Sequence, residues 1–161
     1  MSKATTPSRA EVESLKINEK KWSRPLMAAG WSAIPSIIIE KQEALGLDAV
    51  DMNLILHLSQ YWWQADNLPH PSVGSIAKAL GVTSRTVQKR ISALQELGFI
   101  RRIERRNTAS GSQTNQYSFD GLIAKATPFA EEKLLEIERN SEAKKQRLAR
   151  KKPKLVVNND Q

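Results

Sequence analysis

The sequence predicts a mostly helical α+β domain that carries a small β-hairpin and ends in a long helix. Three observations support this prediction. Apolar residues recur at helical spacing in successive segments that Gly and Pro residues separate. Residues 99–119 instead alternate with period two on either side of a polar turn. Residues 127–152 begin with Thr127 and Pro128, a pair typical of a helix start, and contain no later Gly or Pro.

The composition indicates a polyanionic partner. The chain has 161 residues, with 25 Lys and Arg against 17 Asp and Glu, and its net charge is +8. Such a balance is typical of proteins that bind nucleic acid. The charge is uneven, because residues 31–71 carry a net charge of −4 and residues 72–126 one of +6. A domain with one acidic and one basic face would give this distribution, and scattered surface charge is the alternative.

Several classes of function are disfavoured. The chain has no cysteine, which excludes a disulfide scaffold, a thiol nucleophile and any zinc site that needs cysteine. There is no phosphate-binding loop or zinc-protease motif, and His57 and His70 lack ligand spacing. We therefore expect no enzyme, no cofactor and no metal. No apolar run approaches about 18 residues, and the N-terminus lacks a signal-peptide core, so we expect a cytoplasmic protein without membrane contact.

The chain is expected to divide into four parts. A polar, basic N-terminal arm should be flexible, and its first 22 residues should be disordered. A winged domain, a charged C-terminal helix and a disordered tail should follow. The boundaries are 1–30 for the arm, 31–126 for the domain, 127–152 for the helix and 153–161 for the tail.

Two helices are predicted in the acidic half of the domain. The first spans residues 35–45, with Pro35 in its first turn and Gly46 after its end. The second lies within residues 47–64, where the apolar positions fall on one side. Asp48 and Asp51 fit a capped acidic first turn better than a metal site.

The basic half contains two short helices joined by a tight turn. Ser72 can cap the first helix, and Gly81 stands where that helix must stop. Thr83 can cap the second helix, predicted over residues 84–97, whose buried stripe is Val87, Ile91 and Leu94. Two short helices joined by a turn that contains Gly form a helix-turn-helix.

A β-hairpin should follow the second helix. Phe99 to Arg106 alternates as a strand does, and Asn115, Tyr117 and Phe119 recur with period two. A hairpin directly after a helix-turn-helix is a wing, here predicted over residues 101–117.

The pattern resembles a known family over about half of the chain. Its pieces are Ile34-Pro35, Pro71-Ser72, Ile76-Ala77, Leu80-Gly81-Val82, Arg85-Thr86-Val87, Leu94, Gly98-Phe99-Ile100, Asn115 and Tyr117. In this arrangement residues 31–119 resemble the winged helix-turn-helix domains of bacterial, plasmid and phage regulators and replication proteins. The resemblance implies the fold and a DNA-binding role, whereas the same fold serves many biological processes.

The second helix supplies the first set of expected DNA contacts. When Val87 is buried, Arg85, Lys89 and Ser92 point outward. In helix-turn-helix proteins the N-terminal part of this helix enters the major groove. Arg and Lys suit guanine edges and Gln suits adenine, while hydroxyl groups suit phosphates. The predicted contacts are Thr83, Ser84, Arg85, Thr86, Gln88, Lys89 and Ser92.

The wing supplies the second set. Its arginines and serines suit phosphates or a minor groove. Because neighbouring side chains on a strand face opposite ways, Arg101 and Arg105 should share one side and Arg102 and Arg106 the other. At least one of the two pairs is then expected to be structural or only to aid solubility. The predicted contacts are Arg101, Arg102, Arg105, Arg106, Ser110 and Ser112.

The leading interpretation is a sequence-specific protein that binds double-stranded DNA and regulates transcription at the bacterial nucleoid. The alternative is a plasmid or phage replication initiator that binds origin repeats, and a third reading is a winged helix that binds an acidic protein. Phe129, Leu134 and Ile137 offer a contact for a homodimer, and the charged C-terminal helix could recruit replication or transcription machinery. The chain shows no separate sensing domain, so a response to a metabolite is not expected.

Overall fold

The computed structural model describes residues 9–107 and 111–150, which form helices α1 to α7 and strands β1 to β4. The N-terminal part contains α1 (Arg9–Trp22), α2 (Arg24–Ala29), α3 (Ser36–Glu40) and α4 (Ala49–Ser59). The rest contains α5 (Val73–Leu80), α6 (Ser84–Glu96), β1 (Arg101–Ile103), β2 (Arg106–Asn107), β3 (Gly111–Ser112), β4 (Gln116–Ser118) and α7 (Asp120–Arg150).

The predicted fold class is confirmed. The helix-turn-helix of α5 and α6 is followed by an antiparallel hairpin, in which β1 pairs with β4 and β2 with β3. A long C-terminal helix follows the hairpin. The core lies where α4, α5 and α6 meet the base of the wing, and its most deeply buried apolar side chains include Leu54, Leu58, Ile91, Leu94 and Tyr117.

The turn between α5 and α6 has the predicted capping chemistry. Ser72 Oγ accepts a hydrogen bond from the backbone N–H of Ser75, and Thr83 Oγ1 accepts one from Thr86. Gly81 ends α5 with a φ of 68°, a left-handed conformation that glycine adopts without strain. These local bonds set where α6 starts and therefore which of its side chains face outward.

The N-terminal arm differs from its prediction. Arg9–Trp22 is helical instead of disordered, and α2 follows after Ser23. A polar sequence such as that of α1 is typical of disorder, but Glu, Lys and Ala are also strong helix formers. The helix predicted over residues 35–45 is shorter in the structure. It is α3, which ends at Glu40, and turns follow as far as Gly46.

The C-terminal helix begins earlier than predicted. It starts at Asp120, whose backbone N–H donates to Ser118 Oγ at 3.2 Å, so the boundary expected at residue 127 is wrong. Leu122 and Ala126 are buried in the core, so the first turns of α7 belong to the domain.

Pro128 lies inside the helix. Pro fits a first turn so well that the pair Thr127-Pro128 resembled a start. The predicted tail, 153–161, lies outside the described residues.

A close backbone contact joins the end of α6 to the start of α7. A Cβ atom on Gly121 would lie 1.9 Å from the carbonyl oxygen of Gly98. Beside this contact the backbone N–H of Leu122 donates to Phe99 O at 2.8 Å. Both ends of the wing are therefore held at one place, and this joint requires glycine at position 121.

Candidate nucleic-acid interface

An outward stripe runs along α6. Arg85, Gln88, Lys89 and Ser92 are all exposed, and their spacing of i, i+3, i+4 and i+7 places them on one face. On the opposite face Val87, Ile91 and Leu94 are buried. None of the four outward side chains bonds to another residue in the described part of the chain. The structure thus places these predicted residues together and leaves their donors available.

The hydroxyl groups at the start of α6 are already used. Thr83 Oγ1 and Thr86 Oγ1 lie 2.9 Å apart, and Thr83 also caps the helix. Both residues remain exposed, as does Ser84. The N–H groups of the first helical turn face the same solvent-exposed end, where backbone donors suit a phosphate oxygen.

Arg90 has a structural role that sequence reasoning missed. Its guanidinium lies 2.6 Å from Asp48 and 3.4 Å from Asp51, at the N-terminus of α4. Asp48 and Asp51 form the capping box of that helix, as their predicted capping role requires. The backbone N–H of Asp51, together with Arg90, holds the pKa of the Asp48 carboxyl below its usual range. These pairs connect α6 to the start of α4, and only the fold brings the three residues together.

The wing arginines differ in their surroundings. Arg101 lies 3.3 Å from the Asp120 carboxylate, with both side chains well exposed. Arg105 donates from Nε to Thr114 O at 2.9 Å and from Nη2 to Thr114 Oγ1 at 3.1 Å. Arg102 is exposed and makes no bond to another described residue. Among Arg101, Arg102 and Arg105, whose side chains are described, Arg101 and Arg105 are thus bonded within the chain.

The tip of the wing is described in part. Arg106 pairs with Ser112 in the register of β2 and β3, and only their backbone is described. Ser110 lies outside the described residues. Their predicted contacts therefore stay predictions.

At the base of the wing, β4 is buried and β1 is exposed. Tyr117 lies opposite Arg102 in the β1–β4 register, and its backbone N–H donates to Pro69 O at 2.9 Å. Burial raises the pKa of the Tyr117 phenol, which stays neutral at physiological pH. The wing is anchored to the core through this strand.

Two further observations concern other chemistry. Within residues 9–107 and 111–150, no group of three or more His, Asp or Glu side chains could hold a metal ion. Among the described helices, none combines the length and the apolarity needed to cross a membrane.

The fold and this surface define a winged-helix protein. The sequence pattern of the DnaD N-terminal domain matches residues 34–146, which is more than half of the chain. The chain therefore belongs to the DnaD N-terminal domain family.

The chain is also similar to solved structures. The N-terminal domain of DnaD from Geobacillus kaustophilus HTA426 has 19% sequence identity and a TM-score of 0.52, with 75% of this chain and 98% of that domain covered. The multiple antibiotic-resistance repressor MarR from Listeria monocytogenes has 19% identity and a TM-score of 0.38, with 91% of this chain and 92% of the repressor covered. No curated protein shows a significant sequence match.

Proposed function

We propose that this chain binds double-stranded DNA in a sequence-specific manner, with α6 in the major groove and the wing on the backbone or in the minor groove. The outward stripe of Arg85, Gln88, Lys89 and Ser92 carries the proposal. These side chains are exposed and without partners in the described chain, while the neighbouring Arg90 is bound to α4. A helix of this diameter fits a major groove about 12 Å wide.

The biological process has two candidates, a replication role and transcriptional regulation. Membership of the DnaD N-terminal domain family, which is replication-related, supports binding at an origin. The winged helix-turn-helix itself serves a transcriptional regulator equally well. The two roles differ in the arrangement of sites, because an initiator binds repeated origin sequences and a regulator binds at promoters.

A homodimer is part of the proposal. On α7, Leu134 and Ile137 are 64% and 55% exposed, which suits a surface that a second copy covers. Phe129 is half-buried, and the ammonium of Lys41 lies 5.8 Å from the centre of its ring. A dimer with two-fold symmetry predicts a palindromic site with half-sites about one helical turn apart.

Sequencing of host genomic fragments that the purified chain retains at physiological salt tests the proposal. A parallel selection with the Arg85→Ala, Lys89→Ala double variant is the matched control, because both changes lie on the outward stripe. We expect enriched sites that the double variant no longer enriches. A cluster of direct repeats at an origin supports the replication role, and a palindrome at a promoter supports regulation. Equal retention of all fragments by both proteins would contradict base reading, and a lack of DNA retention at this salt would favour an acidic protein as the partner.

A further inference from the structure

The second half of α7 projects beyond the domain. The packed part of this helix ends with Lys133, whose ammonium lies 2.5 Å from the Glu40 carboxylate on α3. From Leu134 to Arg150 every residue is exposed, and no ion pair ties these side chains to another described residue. This projecting segment, residues 134–150, is about 25 Å long. A helix of this length is only marginally stable by itself, because most helical stability comes from packing one face against another element.

An apolar stripe runs along the projecting segment. Leu134, Ile137 and Leu148 are all more than half exposed. Their spacing of i, i+3 and i+14 places them on one side of the helix. In a two-helix coiled coil, residues with this spacing face the partner helix. The stripe therefore fits a second helix of the same kind.

The charges of α7 are divided along its length. Residues 131–138 contain four Glu and one Lys, a net charge of −3. Residues 139–150 contain five Lys and Arg and one Glu, a net charge of +4. A parallel pair of α7 helices would place like charges side by side, which is unfavourable. An antiparallel pair would instead place the acidic part of each copy beside the basic end of the other.

One register of an antiparallel pair matches the apolar and the charged positions together. When Ile137 of one copy lies opposite Leu148 of the other, two-fold symmetry repeats this contact at the other end of the overlap. Glu138 and Lys145 are seven residues apart, so they lie on the same side of the stripe. In this register Glu138 of one copy lies beside Lys145 of the other, and the symmetric pair forms as well. The two helices then overlap over residues 135–150.

We propose that the homodimer forms through an antiparallel pair of projecting segments, in which the Ile137–Leu148 contact and the Glu138–Lys145 ion pair each occur twice. This arrangement rests on the homodimer in the proposed function and gives it a geometry. The two domains lie at opposite ends of the helix pair, with their Lys133 residues about 28 Å apart along its axis. The helix pair thus separates the two copies of α6 by a set distance.

Analytical ultracentrifugation of the full chain, without DNA, measures the dimer affinity. Glu138→Lys and Lys145→Glu each place like charges opposite one another at both ends of the overlap. Each should weaken dimerisation by at least about tenfold. The double variant Glu138→Lys, Lys145→Glu restores opposite charges and should recover the wild-type affinity. Glu132→Lys, the matched control, makes the same charge change at an exposed position on the face opposite the stripe and should have little effect.

Cysteine cross-linking tests the orientation, because the chain has no cysteine of its own. Ile137→Cys and Leu148→Cys proteins that carry tags of different size are mixed and oxidised. We expect the disulfide between positions 137 and 148 to exceed those between identical positions.

The outcomes separate this arrangement from the rest of the proposed function. A dimer that cross-links mainly at identical positions, or a double variant that stays as weak as the single ones, would overturn the antiparallel pair and leave the homodimer standing. A chain that stays monomeric at every concentration would overturn both. Fragment selection tests the DNA contacts of α6 separately, and a failure there would leave the helix pair in place.

Discussion

The outward face of α6 and the wing are both basic, but they hold their charges differently. On α6, Arg85 and Lys89 have no partner in the described chain, and the one paired cation, Arg90, points to α4. On the wing, Arg101 and Arg105 bond to Asp120 and Thr114. The difference indicates that α6 presents unpaired donors to solvent, whereas on the wing Arg105 links the two halves of the hairpin.

This comparison assigns different tasks to the two surfaces. Donors that read base edges must reach into a groove, and the long side chains of Arg85 and Lys89 can do so. Phosphate contacts require charge in the right place rather than a defined base partner. The exposed pair of Arg101 and Asp120 is weak in water and can exchange its carboxylate for a phosphate.

The largest expected effect comes from breaking the joint that both surfaces share. Gly121→Ala would place a methyl group 1.9 Å from Gly98 O, so the backbone must move. We expect a loss of about 3 kcal/mol in the free energy of unfolding, measured by urea denaturation. Gly74→Ala is the control, because a Cβ there meets only Ser72 Oγ at 3.8 Å and alanine favours a helix by about 0.5–1 kcal/mol. Equal stability of both variants would refute the close contact.

The next effect concerns base preference. Arg85→Ala should lose about 1–3 kcal/mol of discrimination at one base position, since a bidentate contact to guanine disappears. Binding-site selection with the variant and the wild type measures this change. Arg139→Ala removes the same charge from an exposed position on α7 and should keep the profile. If the base-preference profiles of Arg85→Ala and the wild type are identical, Arg85 does not contact a base.

A smaller effect should separate the wing arginines. Arg102→Ala should weaken binding to all DNA sequences alike, by about 1 kcal/mol. It should also lower the slope of log affinity against log salt concentration by about one. Arg105→Ala should lower that slope less, because its guanidinium is committed to Thr114, and should instead speed amide exchange in the wing. If Arg105→Ala lowers the salt slope more than Arg102→Ala does, Arg105 is the residue that binds phosphate.

The smallest effect is a pH dependence at the N-terminus of α4. The folded-state pKa of Asp48 lies below its ordinary value of 3.8, so its stabilisation is complete above that value and lost as the pH falls through the folded-state pKa. Asp48→Asn keeps a capping side chain but removes the charge that Arg90 binds. We expect a loss below about 1 kcal/mol at pH 7 that vanishes under acid conditions. A loss that is constant from pH 7 to pH 3 would contradict the ion pair.

Local signals explain what the sequence could predict. The caps Ser72 and Thr83, the left-handed Gly81 and the buried stripe of α6 all act over a few residues, and each was predictable. The period-two pattern through Tyr117 likewise predicted the return strand. The outward positions of Arg85, Lys89 and Ser92 followed from these elements by helical geometry alone, whereas Gln88 was expected on the flank.

Long-range contacts explain what the sequence could not predict. Arg90 and Asp48 are 42 residues apart, so the helical pattern places Arg90 towards the buried side of α6 but does not identify its partner. The requirement for glycine at position 121 depends on Gly98, which only the fold brings near. The early start of α7 follows from the burial of Leu122 and Ala126, a tertiary effect that outweighs the local signal of Pro128.

The joint at Gly98 and Gly121 also has an evolutionary consequence. Because the chain leaves and re-enters the domain at one point, the residues between these two glycines form a closed loop. Doubling the length of such a loop costs only about 0.6 kcal/mol in closure entropy. Insertions at the hairpin tip should therefore leave the helix-turn-helix intact. The wing is therefore a segment that can change its length while α6 keeps its place.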